Sequence, residues 1–160
     1  MAVGDAEFQL VTFQLGKETY GVDIMDVKEI VKIQNIRTIP NAPYYVEGIF
    51  NLRGEIIPVI SLHKRFRIEK IVASDDEVEL ESGFIILNIE GLIISIYIDR
   101  ISRVVSVSNK EVQSPPQMIS GIGSEYIHGV IRKEEGYLVV LDIRRLFNPK
   151  ELQKLTVINQ

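Results

Sequence analysis

Residues 48–66 read GIFNLRGEIIPVISLHKRF. Apolar runs rich in Ile flank Gly54, and this pattern is typical of two strands joined by a tight turn. Ser61 is expected to cap a short helix over residues 62–66, because its hydroxyl can accept a backbone N–H from the first helical turn. The segment therefore predicts a hairpin that is closed by a short helix.

Residues 129–147 read GVIRKEEGYLVVLDIRRLF and repeat this plan 81 positions later. An offset of 76 relates the preceding parts of the two halves, and the difference indicates a small insertion near residues 117–123. The repeat predicts two similar β units, and short strands avoid exposed edges most readily by closing into small barrels. The matching pairs are Phe8 and Phe84, Phe13 and Ile89, Val22 and Ile98, Asp23 and Asp99, Gly48 and Gly129, Val59 and Val140, Leu62 and Ile143, and Phe66 and Phe147.

The part before residue 48 predicts another hairpin and an extended linker. Residues 8–15 and 19–23 read as strands around a turn that begins at Gly16. Asp23 is expected to cap a helical turn, since its carboxylate can accept backbone N–H groups. Residues 33–39 are expected to be extended, because Pro40 and Pro43 prevent a helix from continuing.

Composition excludes several functional classes. The 160 residues are 46% hydrophobic and 25% charged, as in ordinary globular domains. There is no Cys, which removes disulfides, thiolate nucleophiles and cysteine zinc sites and fits a reducing compartment. A formal charge of −4 works against nucleic-acid binding. The chain lacks a signal-peptide pattern and any apolar run of about 18 residues, so we expect no membrane insertion.

Catalytic chemistry is not indicated by any group of residues. Ser61, His63 and Asp75 are the residue types of a hydrolase triad, but no nucleophile elbow surrounds Ser61. Asp23 and Asp99 suggest the alternative of paired acids in the cleft of an enzyme or small-ligand domain. A capping role at matched hairpin ends is the simpler interpretation of both. We therefore predict no catalytic residue, no cofactor and no metal site.

Protein binding is the function that the local positions favour. Asn51-Leu-Arg-Gly54 presents Arg53 at a hairpin tip, and arginine is enriched at interface hot spots. An exposed structural arginine is the alternative interpretation of Arg53. Val27, Glu29 and Val31 share one face if this segment is extended, and an edge strand there would offer a surface to a partner.

Motifs along most of the chain together carry a family resemblance. They are YGVDI at 20–24, VKEI at 27–30, PNAP at 40–43, VEGI at 46–49, NLRG at 51–54, IPVI at 57–60, Ile98-Asp99 and His128-Gly-Val130. In order and spacing they resemble the CheW family of bacterial chemotaxis adaptors. Phe50 departs from the family pattern, where a smaller or β-branched residue is more usual, and residues 152–160 extend it.

The resemblance implies a mainly β fold of two intertwined, five-stranded SH3-like β-barrels with short helices and a C-terminal helix around a shared core. It implies one CheW-like domain over residues 1–160. The approximate subdomains are residues 19–82 and 83–147, with the N-terminal strand and the C-terminal helix completing the packing.

The resemblance also implies a non-catalytic cytoplasmic adaptor in membrane-associated receptor arrays. Its partners would be the regulatory domain of the histidine kinase CheA and the cytoplasmic tips of methyl-accepting chemotaxis receptors. The same adaptor role in another chemosensory or motility pathway stays open, as does which residue serves which partner. The expected protein-binding residues are Val27, Glu29, Gly48, Arg53 and Val104, with Asn51 and Gly54 in the same turn as Arg53.

Overall fold

The computed structural model describes residues 6–68, 82–114, 126–133 and 136–146. Strands dominate these residues, as their β-branched and aromatic content predicts. The strands are β1 (Glu7–Leu15), β2 (Glu18–Asp23), β3 (Val27–Lys32), β4 (Val46–Leu52), β5 (Glu55–Ser61), β6 (Gly83–Ile89), β7 (Leu92–Ile98), β8 (Arg100–Ser108), β9 (Val112–Gln113), β10 (Ile127–Lys133) and β11 (Gly136–Leu141). The helices are α1 (Leu62–Phe66) and α2 (Ile143–Leu146), and 3-10 turns cover Ile24–Asp26 and Asn109–Glu111.

Both predicted capping residues begin short helical segments. The Ser61 hydroxyl accepts the backbone N–H of Lys64 at 3.1 Å at the start of α1. The Asp23 carboxylate accepts the backbone N–H of Met25 at 2.9 Å at the start of the first 3-10 turn. These two local predictions are confirmed.

The strands form two sheets with the same internal plan. One has the order β8-β1-β2-β11-β10-β9, and the other has the order β3-β6-β7-β5-β4. The repeat relates β1 and β2 to β6 and β7, β3 to β8, and the hairpin β4–β5 to the hairpin β10–β11. Neighbouring strands are antiparallel except for β2 beside β11 and β5 beside β7, which are parallel. The duplicated, mainly β architecture is confirmed.

The subdomain boundaries predicted at residues 19–82 and 83–147 do not coincide with these sheets. β2 lies in the six-stranded sheet with β10 and β11, whereas β6 and β7 lie in the five-stranded sheet with β3, β4 and β5. Each sheet thus takes its first hairpin from one half of the chain and its other full-length strands from the other half. The parallel contacts of β2 with β11 and of β5 with β7 join the hairpin from one half to the strands from the other half. The two-residue strand β9 gives one sheet six strands instead of five.

The five-stranded sheet curls so that its two edges meet. Arg37, in the linker after β3, exchanges two backbone hydrogen bonds of 2.8 Å with Ile49 of β4. Ion pairs also join β3 to the β4–β5 turn across the same gap, since Lys28 Nζ lies 3.4 Å from Glu55 Oε2 and Arg53 contacts Glu29. In the other sheet, β8 runs through a 3-10 turn into β9 at the opposite end of the strand order.

A glycine at the same repeat position lets another segment approach each sheet closely. The segment is the linker after β3 at Gly48 and strand β9 at Gly129. A Cβ atom on Gly48 would lie 2.2 Å from the carbonyl oxygen of Arg37. A Cβ atom on Gly129 would lie 2.3 Å from Val112 Cγ1 and 2.8 Å from the carbonyl oxygen of Gln113. Any side chain at either position would therefore push the crossing segment away from the sheet.

The largest apolar cluster is shared by both sheets and both helices. Phe13 of β1, Ile85 of β6, Phe66 of α1 and Ile143 of α2 are all buried in it. Each sheet also encloses a smaller cluster, around Leu10 in one and around Phe50, Val59 and Phe84 in the other. The shared core implied by the family resemblance is therefore present.

Arg65 joins the two halves next to this core. Its guanidinium lies 5.4 Å from the ring centre of Tyr45 and 5.2 Å from that of Tyr126, two tyrosines related by the offset of 81. One of its nitrogens also donates to the carbonyl oxygen of Leu146 in α2 at 3.3 Å. Cation–π contacts and a hydrogen bond thus hold α1 against α2.

Candidate protein-binding site

Arg53 stands at the tip of the β4–β5 hairpin. Arg53 and Gly54 both have positive φ angles, 51° and 88°, as the tight two-residue turns of β-hairpins require. The Asn51 side chain accepts the backbone N–H of Gly54 at 2.9 Å and fixes the turn. The Arg53 side chain remains 68% exposed, as the sequence predicts.

Glu29 of β3 orients the Arg53 guanidinium. The two side chains form an ion pair, and the Glu29 side chain is 29% exposed. An exposed ion pair contributes little to stability, about 0–1 kcal/mol. The pair engages Nη2 of Arg53, and the exposed side chain can offer the other donors of its planar fork to a partner. Arg53, Glu29, Asn51 and Gly54 together are called the arginine face below.

Two of the predicted residues lie behind this face. Gly48 is buried, and its position is set by the close approach of the Arg37 backbone. Val27 is half-buried and packs against the shared core. Substitutions at these two positions would change partner binding mainly by displacing β3 or the linker that follows it.

Val104 lies apart from the arginine face, on β8 of the other sheet. Its side chain is 51% exposed, and Ile101 on the same strand is 37% exposed. β8 pairs with β1 on one side only and is an edge strand of its sheet. The start of β8 approaches β3, because a Cβ atom on Gly83 would contact both the Val31 carbonyl oxygen at 2.9 Å and Ile101 Cδ1 at 3.6 Å.

The paired-acid alternative has no support in the geometry. Asp23 caps its 3-10 turn, whereas Asp99 is only 5% exposed and is engaged elsewhere. Asp99 Oδ2 accepts the backbone N–H of Gly16 at 2.7 Å and the Nε2–H of His63 at 2.8 Å. The capping role predicted for both aspartates is right for Asp23 and wrong for Asp99.

The His63–Asp99 pair is a contact that sequence reasoning missed. It joins α1, the end of β7 and the β1–β2 turn, and both side chains are 3% exposed. The residues are 36 positions apart, and no local pattern connects them. In the hypothetical triad, Asp75 lies outside the described residues, and the Ser61 hydroxyl caps α1.

Metal-binding clusters and membrane-spanning helices are both absent from the residues that the structure describes. Among them, no three or more His, Asp or Glu side chains are grouped closely enough to hold a metal ion. Within the same ranges, no helix has the length and apolar character needed to cross a membrane.

The duplicated β fold presents an ion-paired arginine at a hairpin tip and aliphatic side chains on an edge strand. These features are typical of a small β protein of the interaction-module class. The family model of the CheW-like domain matches residues 9–151. The chain belongs to the CheW-like domain family.

Relatives of known name agree with this assignment. The chain is 63% identical over 155 residues to the chemotaxis protein CheW of Treponema pallidum (strain Nichols), covering 97% of this chain and 91% of the relative. It is 30% identical over 144 residues to the chemotaxis protein CheW of Klebsiella aerogenes, covering 90% and 84%. The crystal structure of the scaffolding protein TtCheW from Thermoanaerobacter tengcongensis matches with a TM-score of 0.77 and 33% identity, over 94% of each chain.

Proposed function

We propose that this protein is a non-catalytic chemotaxis adaptor that couples methyl-accepting receptors to the histidine kinase CheA in the cytoplasm. The observation that carries the proposal is family membership over almost the whole chain, with relatives named chemotaxis protein CheW and scaffolding protein. The partners are the cytoplasmic receptor tips and the regulatory domain of CheA.

Candidate surfaces on both sheets suit an adaptor. The arginine face lies on the five-stranded sheet, and the edge strand with Val104 lies on the six-stranded sheet. A protein bound to both partners raises the effective concentration of each for the other, so that weak contacts on two faces act together. Kinase control then requires that the adaptor bind the active and inactive arrangements of the assembly with different affinity.

The arginine face is the part of the site with the most definite chemistry. Arg53 offers charged N–H donors to a carboxylate or a carbonyl of a partner, and Glu29 holds the guanidinium in place before binding. Val104 and Ile101 offer aliphatic contact on the second surface. Gly48 and Val27 support the arginine face from behind.

The test separates contact with a partner from a merely structural ion pair. Receptor-containing vesicles are sedimented with CheA and native protein, the Arg53→Glu variant, or the charge-swapped double variant Glu29→Arg/Arg53→Glu. The matched control is Arg132→Glu, a charge reversal at an exposed position of β10. Circular dichroism melting confirms the fold of each variant.

We expect Arg53→Glu to reduce CheA recovery about tenfold, as for the loss of a charge-assisted contact at an interface. The charge swap restores the internal pair but not the donor that faces the partner, so recovery stays low. Arg132→Glu should behave as the native protein. Full recovery with the charge-swapped variant would contradict a direct contact by Arg53, and no recovery of CheA with native protein would contradict the adaptor function.

A further inference from the structure

A cleft of about 510 Å³ lies at one end of the six-stranded sheet, and none of the residues of the arginine face line it. The start of β1, the 3-10 turn after β2 and the start of α2 form its walls. Phe8, Met25 and Ile143 supply apolar surface, and Asp23, Asp26 and Asp142 supply carboxylates.

The repeat shows that the same position in the other half is filled. Adding 76 to Asp23 gives Asp99, and subtracting 81 from Arg144 gives His63. There the His63–Asp99 pair is buried, and the backbone N–H of Gly16 from the β1–β2 turn donates to the carboxylate. In the cleft, Arg144 stands at the position of His63 but lies beside Asp26, so among the described residues Asp23 has no side-chain donor.

Negative charge is in excess among the described residues of the cleft. Among the described residues that line the cleft, Glu7 and the three aspartates face one guanidinium, that of Arg144, which lies 3.4 Å from Asp26. Arg145, which is not among the lining residues, pairs with Asp142 at 3.2 Å. Without counting His128, the four carboxylates and the guanidinium groups of Arg144 and Arg145 leave a formal charge of −2 among the described residues at the cleft. A cationic side chain is the complement of this surface.

The surroundings of Asp26 disfavour its ionised form, mainly because the carboxyl group is partly buried. Burial raises the pKa of Asp26, and the nearby charges of Asp23 and Asp142 raise it further, while Arg144 opposes the shift. A second cation near Asp26 would stabilise the ionised carboxylate.

Met25 gives the cleft an apolar contact point at its mouth. Its side chain is 85% exposed, the largest exposed fraction among the exposed large apolar side chains in the described residues. It sits between Asp23 and Asp26 in the 3-10 turn. Methionine adapts its shape to a bound partner, and an exposed methionine beside carboxylates suits a ligand that is both apolar and basic.

We propose that this cleft binds a segment of a partner protein in which a lysine or arginine stands next to an aliphatic side chain. The cation lies between Asp23 and Asp26, and the aliphatic side chain packs on Met25 and Phe8. This site goes beyond the adaptor function proposed above and does not involve the arginine face.

The test uses isolated full-length protein and a capped synthetic peptide, GSKLKLSG, as the probe. Control peptides GSELELSG and GSKSKSSG remove the positive charge and the aliphatic side chains, respectively. Backbone amide chemical shifts measured by NMR locate the contact, and the shift amplitudes give the dissociation constant. The test variant is Asp23→Asn/Asp26→Asn, because asparagine still caps the 3-10 turn while both charges are removed. The matched control variant is Glu18→Gln/Glu90→Gln, which removes two exposed carboxylates outside the cleft.

We expect GSKLKLSG to shift the amide signals of Met25, Asp26 and Ile143, and both control peptides to bind more weakly. The dissociation constant should rise about tenfold for Asp23→Asn/Asp26→Asn, as for the loss of a charge-assisted contact. It should stay unchanged for the Glu18→Gln/Glu90→Gln control. The Met25→Ser variant, which changes an exposed side chain, should also weaken binding. The proposal is overturned if the shifted signals lie outside the cleft, if GSELELSG binds equally well, or if the charge-removing variant binds as the native protein does. The assay contains neither receptor nor CheA, so its outcome is independent of the adaptor function.

Discussion

Replacing Asp99 with alanine should destabilise the protein far more than the same replacement of its half-buried repeat partner, Asp23. Asp99 Oδ2 accepts hydrogen bonds from Gly16 at 2.7 Å and from His63 at 2.8 Å, and all three groups are buried. Each buried polar group left without a partner costs about 1–3 kcal/mol, so the two donors together give a loss of about 2–6 kcal/mol. Asp99 Oδ1 is buried without a partner among the described residues, and relief of its desolvation moves the expected loss toward the lower end.

Thermal and urea unfolding measure this loss directly. A domain of this size loses about 2–4 °C of melting temperature per kcal/mol, so we expect a fall of about 5–15 °C for Asp99→Ala. Asp99→Asn keeps an acceptor oxygen and should recover part of the loss. Asp23→Ala is the matched control, since it removes one exposed cap at a cost of about 0.5–2 kcal/mol. Equal destabilisation by Asp99→Ala and Asp23→Ala would refute the reasoning.

Two further expectations concern the core. Val59 is fully buried in the five-stranded sheet, and Val59→Asp should abolish cooperative unfolding because a buried unpaired charge costs several kcal/mol. Val104 is half-exposed, so the control variant Val104→Asp should melt normally. A normal melt for Val59→Asp would show that this site tolerates a charge. Burial raises the pKa of Tyr20 in the folded protein, whereas the tyrosine of an unfolded chain ionises near pH 10. The free energy of unfolding should therefore fall as the pH rises above about 10. Tyr20→Phe should reduce that fall, which urea unfolding at pH 8 to 11 measures. An equally steep fall in both proteins would contradict the assignment of the fall to Tyr20.

Local features of the fold follow from the sequence because they depend on neighbouring residues. The hairpin around Gly54, the cap at Ser61 and the cap at Asp23 each need only a few adjacent side chains with the right chemistry. The duplication is also visible, since it appears as a fixed offset between residues such as Gly48 and Gly129.

The exchange of hairpins between the sheets cannot be predicted in the same way. Alternation of apolar residues defines a strand and its inner face, but it does not say which distant strand lies beside it. The parallel contacts of β2 with β11 and of β5 with β7 depend on packing in the shared core.

The candidate site likewise combines features that the local sequence predicts with features that depend on distant contacts. Arg53 is presented as its turn predicts, because the glycine after it allows the required conformation. Glu29 reaches it only because the sheet curls, and the sequence gives no sign of the buried contact between His63 and Asp99. Gly48 stands out in the motif, yet its buried position beside the Arg37 carbonyl emerges only in three dimensions.

The most direct test of the adaptor function is receptor-coupled phosphorylation of CheA, reconstituted with no adaptor, with the native protein and with its Arg53→Glu variant. We expect the native protein to stimulate phosphorylation by CheA in the presence of receptor, and the folded variant to stimulate it much less. Absence of stimulation by folded native protein with competent partners would contradict the account.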